Sequence, residues 1–243
     1  MNATAAHDGW PAVLAGASAP YRRAGRYAWS FARGKLGGDP VFRHLLSHGL
    51  IAPRSRVLDI GCGQGLLAAL LREAAAAHAR GSWPADWASA PVGAQVVGIE
   101  LIARDVDRAR TALGASAEFI CGDMRSTPFP RADTVVILDA LHYIGVADQD
   151  AVLARVHEAL LPGGRLLLRV GDRASSTGAH LSQAIDALVM AVRGRRYVSL
   201  HARPLDDWLD RLHDLGFADI ATVPMSAGTP FANVLLTARA AHA

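Results

Sequence analysis

Three acidic residues set beside glycines carry the chemistry in this sequence: Asp59 in VLDIGCGQG (57–65), Glu100 closing VVGIE (96–100), and Asp123 in CGDM (121–124). In the first motif Gly61, Gly63 and Gly65 stand where an apolar strand gives way to a helical run. Glycines there permit a tight turn and let a ligand approach bare backbone, and the helix N-terminus that follows offers unpaired N–H groups. An acid just ahead of such a turn repels a pyrophosphate, so Asp59 argues against a dinucleotide and for a cationic or hydroxyl-bearing ligand. Glu100 ends its strand as an acceptor suited to two ribose hydroxyls. It lies further along than the about twenty residues usual in dinucleotide folds because of a tryptophan-containing insertion at 80–94. Asp123 can accept from an adenine amino group while Met124 packs on the purine; the same residues also make an ordinary Gly-Asp turn. A ligand with an α-ammonium, a sulfonium, a ribose and no phosphate is S-adenosylmethionine (SAM).

A second set lies after the apolar run ADTVVILDAL (132–141). His142 and Tyr143 follow the C-terminal end of a strand, the edge where open α/β sheets bind ligands. They are the candidate catalytic residues, with His142 either a base for a hydroxyl acceptor or a packing histidine, and His201 a further candidate of the same kind. The N-terminal stretch YRRAGRYAWSFARGK (21–35) reads as a lid offering Tyr27, Trp29 and Phe31 to an aromatic acceptor and Arg33 or Lys35 to a carboxylate, or as a solvated basic helix.

These residues need a scaffold of alternating strands and helices. Strands are expected at 57–60, 94–100, 117–121, 132–139 and 164–170, the last opened by the turn Pro162-Gly163-Gly164, with helices at 66–79, 102–113 and 149–161 between them. Strands this apolar belong in a parallel sheet covered on both faces. Asp39 reads as an N-cap with Pro40 at the first helical position. Helices near 182–192 and 205–215 and strands near 220–224 and 233–238 complete the chain. The expectation is one α/β domain over 53–243, a Rossmann-like, doubly wound, seven-stranded, mostly parallel sheet ending in an antiparallel hairpin, preceded by a helical cap over 1–52.

The 243 residues are 51% hydrophobic, enough for a substantial core, and the net charge of +3 does not indicate nucleic acid. Two cysteines, Cys62 and Cys121, make neither a disulfide framework nor a metal site, and no apolar run is long enough to span a bilayer. Cytoplasmic residence and no bound metal are expected.

The set of motifs resembles the class I SAM-dependent methyltransferases. VLDIGCGQG matches their first motif, VVGIE the ribose-binding acid, CGDM the adenine turn, ADTVVILDALHYI the fourth-strand motif and LLPGGRLLLRV the entry to the fifth strand. The resemblance implies SAM as cofactor, with Asp59, Gly61, Cys62 and Gly63 along its methionine side, Glu100 and Leu101 at the ribose, Asp123 and Met124 at adenine, and Asp139 near the amino-acid end. The sequence at 139–142, DALH, departs from the (D/N)-P-P-(Y/F) motif of many amino-group methyltransferases, which argues against nucleic-acid bases and glutamine as acceptors. FARGKLGGDPVFRHLL followed by VLDIGCGQGLL is also similar to small-molecule methyltransferases of bacterial aryl-polyene clusters, implying a phenolic or carrier-tethered acceptor. The competing readings are an RNA or protein methyltransferase, suggested by Arg22, Arg23, Arg26, Arg33, Arg193, Arg195, Arg196 and Arg203, a SAM-binding interaction protein without turnover, and an NAD-dependent oxidoreductase.

Overall fold

Apolar runs bounded by glycine become the strands. In the computed structural model, which describes residues 9–171, 201–226 and 233–241, β1 (Arg56–Ile60), β2 (Gln95–Glu100), β3 (Glu118–Cys121), β4 (Ala132–Leu138), β5 (Leu160–Gly171), β6 (Phe217–Pro224) and β7 (Asn233–Ala240) form one sheet. Its order is β3-β2-β1-β4-β5-β7-β6. The pairs β2/β3 and β4/β5 are parallel, whereas β7 runs antiparallel to both β5 and β6. The fold is thus the doubly wound, mostly parallel sheet with a terminal antiparallel hairpin. Order reverses beside β1.

The chain divides into two compact units, Met1–Val57 with Cys62–Gly122, and Leu58–Gly61 with Asp123–Ala243. In the first, α1 (Trp10–Ser18) packs on α4 (Leu66–Ala79), and the 3-10 turn Ala19–Ala24 packs on α5 (Ala103–Leu113). Next come α2 (Arg26–Gly38) and α3 (Pro40–Ser47), the latter capped by the Asp39 side chain accepting from Val41 N–H at 3.1 Å. Val13, Ala17, Tyr21, Ala28, Ala32 and Leu36 are all at most 1% exposed. These helices therefore belong to the hydrophobic core of this unit. The insertion folds around indoles: Trp83 Nε1 donates to Ala88 O at 2.9 Å, and Trp87 stands edge-on to Trp83 at 5.3 Å.

In the second unit several element boundaries differ from expectation. The helix α6 spans Val146–Ala159, starting and ending before the expected 149–161. Leu160 is already extended and pairs with Ala132 at the edge of the β4/β5 ladder, which ends the helix. The expected turn Pro162-Gly163-Gly164 does not precede β5 but lies within it, absorbed by a register shift between Ala132 and Thr134, with Gly163 at φ 71°. β6 begins at Phe217, directly after Gly216 and ahead of the expected 220, because Phe217 pairs with Ala240. The helix α7 (Leu205–Asp214) carries Asp206 and Asp207 in its first turn, where the macrodipole favours them. The helix expected near 182–192 lies outside the described residues. Among the described residues no helix is long and apolar enough to cross a membrane.

Candidate active site

The glycine turn is built on left-handed backbone: Gly61, Gly63 and Gly65 have φ of 74°, 54° and 73°. They serve two purposes. A β-carbon on Gly61 would come within 2.4 Å of Ala140 Cβ, and one on Gly65 within 2.6 Å of Phe119 Cζ, so both are needed for close packing. A β-carbon on Gly63 would meet nothing within 4 Å. Its conformation still demands glycine, yet its face is open.

Cys62 N–H donates to Ile99 O at 3.2 Å, and its thiol sits over Gly98, 2.7 Å from where a β-carbon would stand. The side chain is therefore buried against β2, and its thiol also donates to Gly63 O at 3.8 Å within the turn. Glu100 bridges two segments: Oε2 accepts from Gly63 N–H at 3.0 Å and Oε1 from Ile102 N–H at 2.8 Å. Each oxygen keeps a further lone pair for a hydroxyl donor. Beside it Leu101 is 42% exposed, unusual for a leucine next to a conformationally fixed strand end. Gly122 N–H donates to Glu100 O at 3.0 Å, tying the end of β3 to the same place.

In the second unit Asp59 is buried in β1 at 4% exposure. Asp123 makes an Asx turn, accepting from Arg125 N–H at 2.9 Å, and its carboxylate is gripped by the Arg125 guanidinium, Nη2 to Oδ2 at 2.6 Å. Hydrogen bonds to Asp123, its charge and a contact with Asp148 raise the guanidinium pKa. Met124 is half-buried. The loop is clamped from α6 by Arg155, which donates to Met124 O at 2.7 Å, Arg125 O at 2.9 Å and Thr127 O, and lies over the Phe129 ring at 4.0 Å.

Asp139 follows β4 with φ 57°, a conformation that few non-glycine residues hold without support. The support is Arg169 of β5, fully buried, whose Nε donates to Asp139 Oδ1 at 2.7 Å while Nη2 reaches Oδ2. His142 and Tyr143 occupy a one-turn 3-10 helix, Leu141–Tyr143, with their rings 4.1 Å apart. His201 N–H donates to His142 O at 2.9 Å, so the two candidate bases share one corner. Buried Gln149 locks that corner, its Nε2 donating to Leu141 O at 3.1 Å, Ile144 O at 3.0 Å and His201 O at 2.8 Å.

The proposed lid residues are engaged on their own unit. Tyr27 and Phe31 stack at 6.1 Å, Arg108 lies over Tyr27 at 4.6 Å, and Lys35 pairs with Asp39 at 2.7 Å. Trp29 lies under Arg22, 5.1 Å from its guanidinium, and Arg33 is exposed. Of the arginines behind an RNA reading, Arg203 is buried and bonds Asp150 at 2.5 Å, and 193–196 lie outside the described residues.

Arg169, Gln149, Arg155 and Gln64 escaped sequence reasoning. Arg169 had a signal, a lone cation inside the apolar strand LLLRV. So did Gln149, a polar residue on the helix face that carries Val152, Leu153 and Val156.

Comparison with known proteins agrees with this architecture. Residues 57–164 match the family model described as a methyltransferase domain. The tetracenomycin polyketide synthesis 8-O-methyl transferase TcmO of Streptomyces glaucescens is 33% identical over 111 residues, covering 44% of this chain and 31% of that protein. A carboxy-S-adenosyl-L-methionine synthase of Hydrogenovibrio crunogenus is 25% identical over 141 residues, 56% of this chain and 49% of that one. The chain thus spans 31% to 49% of the length of these curated relatives. Magnesium protoporphyrin IX methyltransferase from Synechocystis, solved with bound S-adenosylhomocysteine, superposes with TM-score 0.57 at 21% identity, covering 88% of this chain and 87% of that one. The mitomycin 7-O-methyltransferase MmcR gives 0.56 at 22% identity over 76% of this chain and 49% of its own. Residues 57–164 are thus similar to a methyltransferase domain, and the fold is the one these solved methyltransferases share.

Proposed function

We propose that this protein transfers the methyl group of SAM to a hydroxyl of a small-molecule acceptor. The observation that carries the reading is the Gly63 turn, an open face on left-handed backbone whose N–H is fixed by the same carboxylate, Glu100, that suits a ribose. A cofactor that is cationic at sulfur and free of phosphate fits this acid-framed cradle. Asp59, Gly61, Cys62 and Gly63 hold its methionine side, Glu100 and Leu101 the ribose, Asp123 and Met124 the adenine, and Asp139 the amino-acid end. Arg169 holds the Asp139 carboxylate in place. The O-methyl transferase TcmO among the relatives favours an oxygen acceptor, and a phenolic or carrier-tethered acyl or aryl compound is the finer reading. Two free cysteines, Cys62 and Cys121, accord with cytoplasmic residence.

When bound, SAM would supply a methyl carbon activated by its sulfonium, from which the thioether could leave with the C–S electron pair as an acceptor oxygen bonds in line. The protein's part is to hold the acceptor in line, exclude water, and take the acceptor's proton. His142 is placed in that last role, with Tyr143 beside it as a wall or hydrogen-bonding partner. His142→Asn is expected to keep SAM affinity and lower the maximal rate by about a hundredfold. The defect should shrink for phenols already ionised at the assay pH. An equal loss across acceptors of different acidity would leave His142 a positioning role only, and full activity would remove it from the mechanism.

Glu100→Ala is expected to weaken SAM by about 2 to 3 kcal/mol, as for loss of hydrogen bonds to a charged acceptor. Calorimetry measures this directly, and unaltered affinity would mean that another residue holds the ribose.

A further inference from the structure

We propose that Gln149 is a positioning residue for methyl transfer, a buried amide that fixes the His142–Tyr143 turn and docks His201 against it on the acceptor side of the site. The inference rests on the reading of His142 as the group that takes the acceptor's proton. Gln149 lies in the first turn of α6, on the face that carries Val152, Leu153 and Val156, and is 0% exposed. An apolar side chain is the ordinary occupant of such a position, since a buried amide is tolerated only where it is hydrogen-bonded. Here Nε2 meets acceptors alone: Leu141 O at 3.1 Å, Ile144 O at 3.0 Å and His201 O at 2.8 Å. Carbonyls cannot donate, so the amide nitrogen and not its oxygen must face them.

The partners share a purpose. Leu141 and Ile144 bracket the 3-10 turn that carries the two rings, so the amide holds that turn at its start and at its exit. His201 arrives from a segment distant in sequence and is held through both backbone groups, its N–H donating to His142 O at 2.9 Å and its carbonyl accepting from Gln149. Two residues on, Arg203 ties the same segment to α6, with Nη2 donating to Val146 O at 3.0 Å and Asp150 Oδ1 at 2.5 Å. All of these residues belong to the second unit. A ring that takes a proton must stand within hydrogen-bond reach of the acceptor's O–H, and a displacement of about 1 Å costs on the order of a hundredfold in rate. Gln149, with no exposed surface, acts through the turn and not on the acceptor.

The test is a double-mutant cycle on maximal rate, run on the full chain with methyl-labelled SAM and with phenol, catechol and salicylate as acceptors. Gln149→Leu should lower the maximal rate by about tenfold to a hundredfold and change SAM affinity by no more than about twofold. In the His142→Asn background the same substitution should cost no more than about twofold further, because a residue that acts through another has nothing left to act on. An equal factor in both backgrounds, or a parallel loss of SAM affinity, overturns the proposal and leaves Gln149 a structural residue. Should Gln149→Leu fail to fold, Gln149→Glu keeps the shape and restores a donor only when its carboxyl is protonated, the form that burial favours. Its rate as a fraction of the wild-type rate should then rise as pH is lowered; a fraction that does not change with pH overturns the assignment. Wild-type rate in His142→Asn overturns the reading of His142, and wild-type protein that methylates none of the three acceptors overturns the phenolic acceptor; either result takes the proposal with it.

Discussion

Gly63→Val is expected to abolish SAM binding and leave a folded protein. A β-carbon there meets no protein atom within 4 Å, so the fold pays only for the left-handed backbone at φ 54°, about 1–2 kcal/mol. In a domain of this size that lowers the melting temperature by roughly 2–8 °C. The isopropyl group would instead fill the open face that the cofactor needs. Gly65→Val is the contrasting control, since its side chain would drive into Phe119 and Ala109 and should destabilise the protein whatever the ligand. Calorimetry paired with thermal unfolding separates the two effects. Undiminished SAM affinity in folded Gly63→Val protein would contradict the cofactor assignment.

Deleting residues 1–38 is expected to lose the fold of the first unit, and cofactor binding with it. The sequence suggests a detachable lid, whose loss would cripple turnover and spare SAM. The structure changes that expectation, because Val13, Tyr21 and Leu36 are buried to 1% exposure or less and Tyr21 is bonded to the glycine turn itself. Fully burying a large apolar side chain stabilises by about 1.5–3 kcal/mol. Losing three such side chains with the alanines between them approaches the whole stability of a domain, about 5–15 kcal/mol. The truncated protein should be insoluble or lack a cooperative thermal transition. A soluble, cooperatively folding truncation with native SAM affinity would show that these helices only cover the site.

Much of the fold was legible because it depends on local signals. The helix 66–79 appears with the expected bounds, since alanine and leucine fill it and the glycine turn starts it. The strand ends at Ile60 and Glu100 follow from short apolar runs closed by glycine or acid. The ends of α6 and β5 were not legible, because Leu160 is claimed by pairing with Ala132, a partner distant in sequence. The same holds for the site. Glycines and acids announce themselves by type and spacing, whereas Arg169 on Asp139, Arg155 on the 124–127 loop and Tyr21 on Gln64 are long-range choices of partner. Tyr27 and Phe31 are ambiguous for that reason too: aromatic residues near arginines suit an acceptor pocket, and they also suit packing with one another and with Arg108.

The most direct test of the central claim is methyl transfer itself. Purified protein incubated with isotopically methyl-labelled SAM and a panel of phenolic, carboxylate and carrier-bound acceptors, then read by mass spectrometry, should yield S-adenosylhomocysteine in step with one acceptor gaining a labelled methyl group. The product should disappear with Gly63→Val. Tight SAM binding with no labelled product from any acceptor would contradict the account and point to an interaction protein that holds SAM without using it.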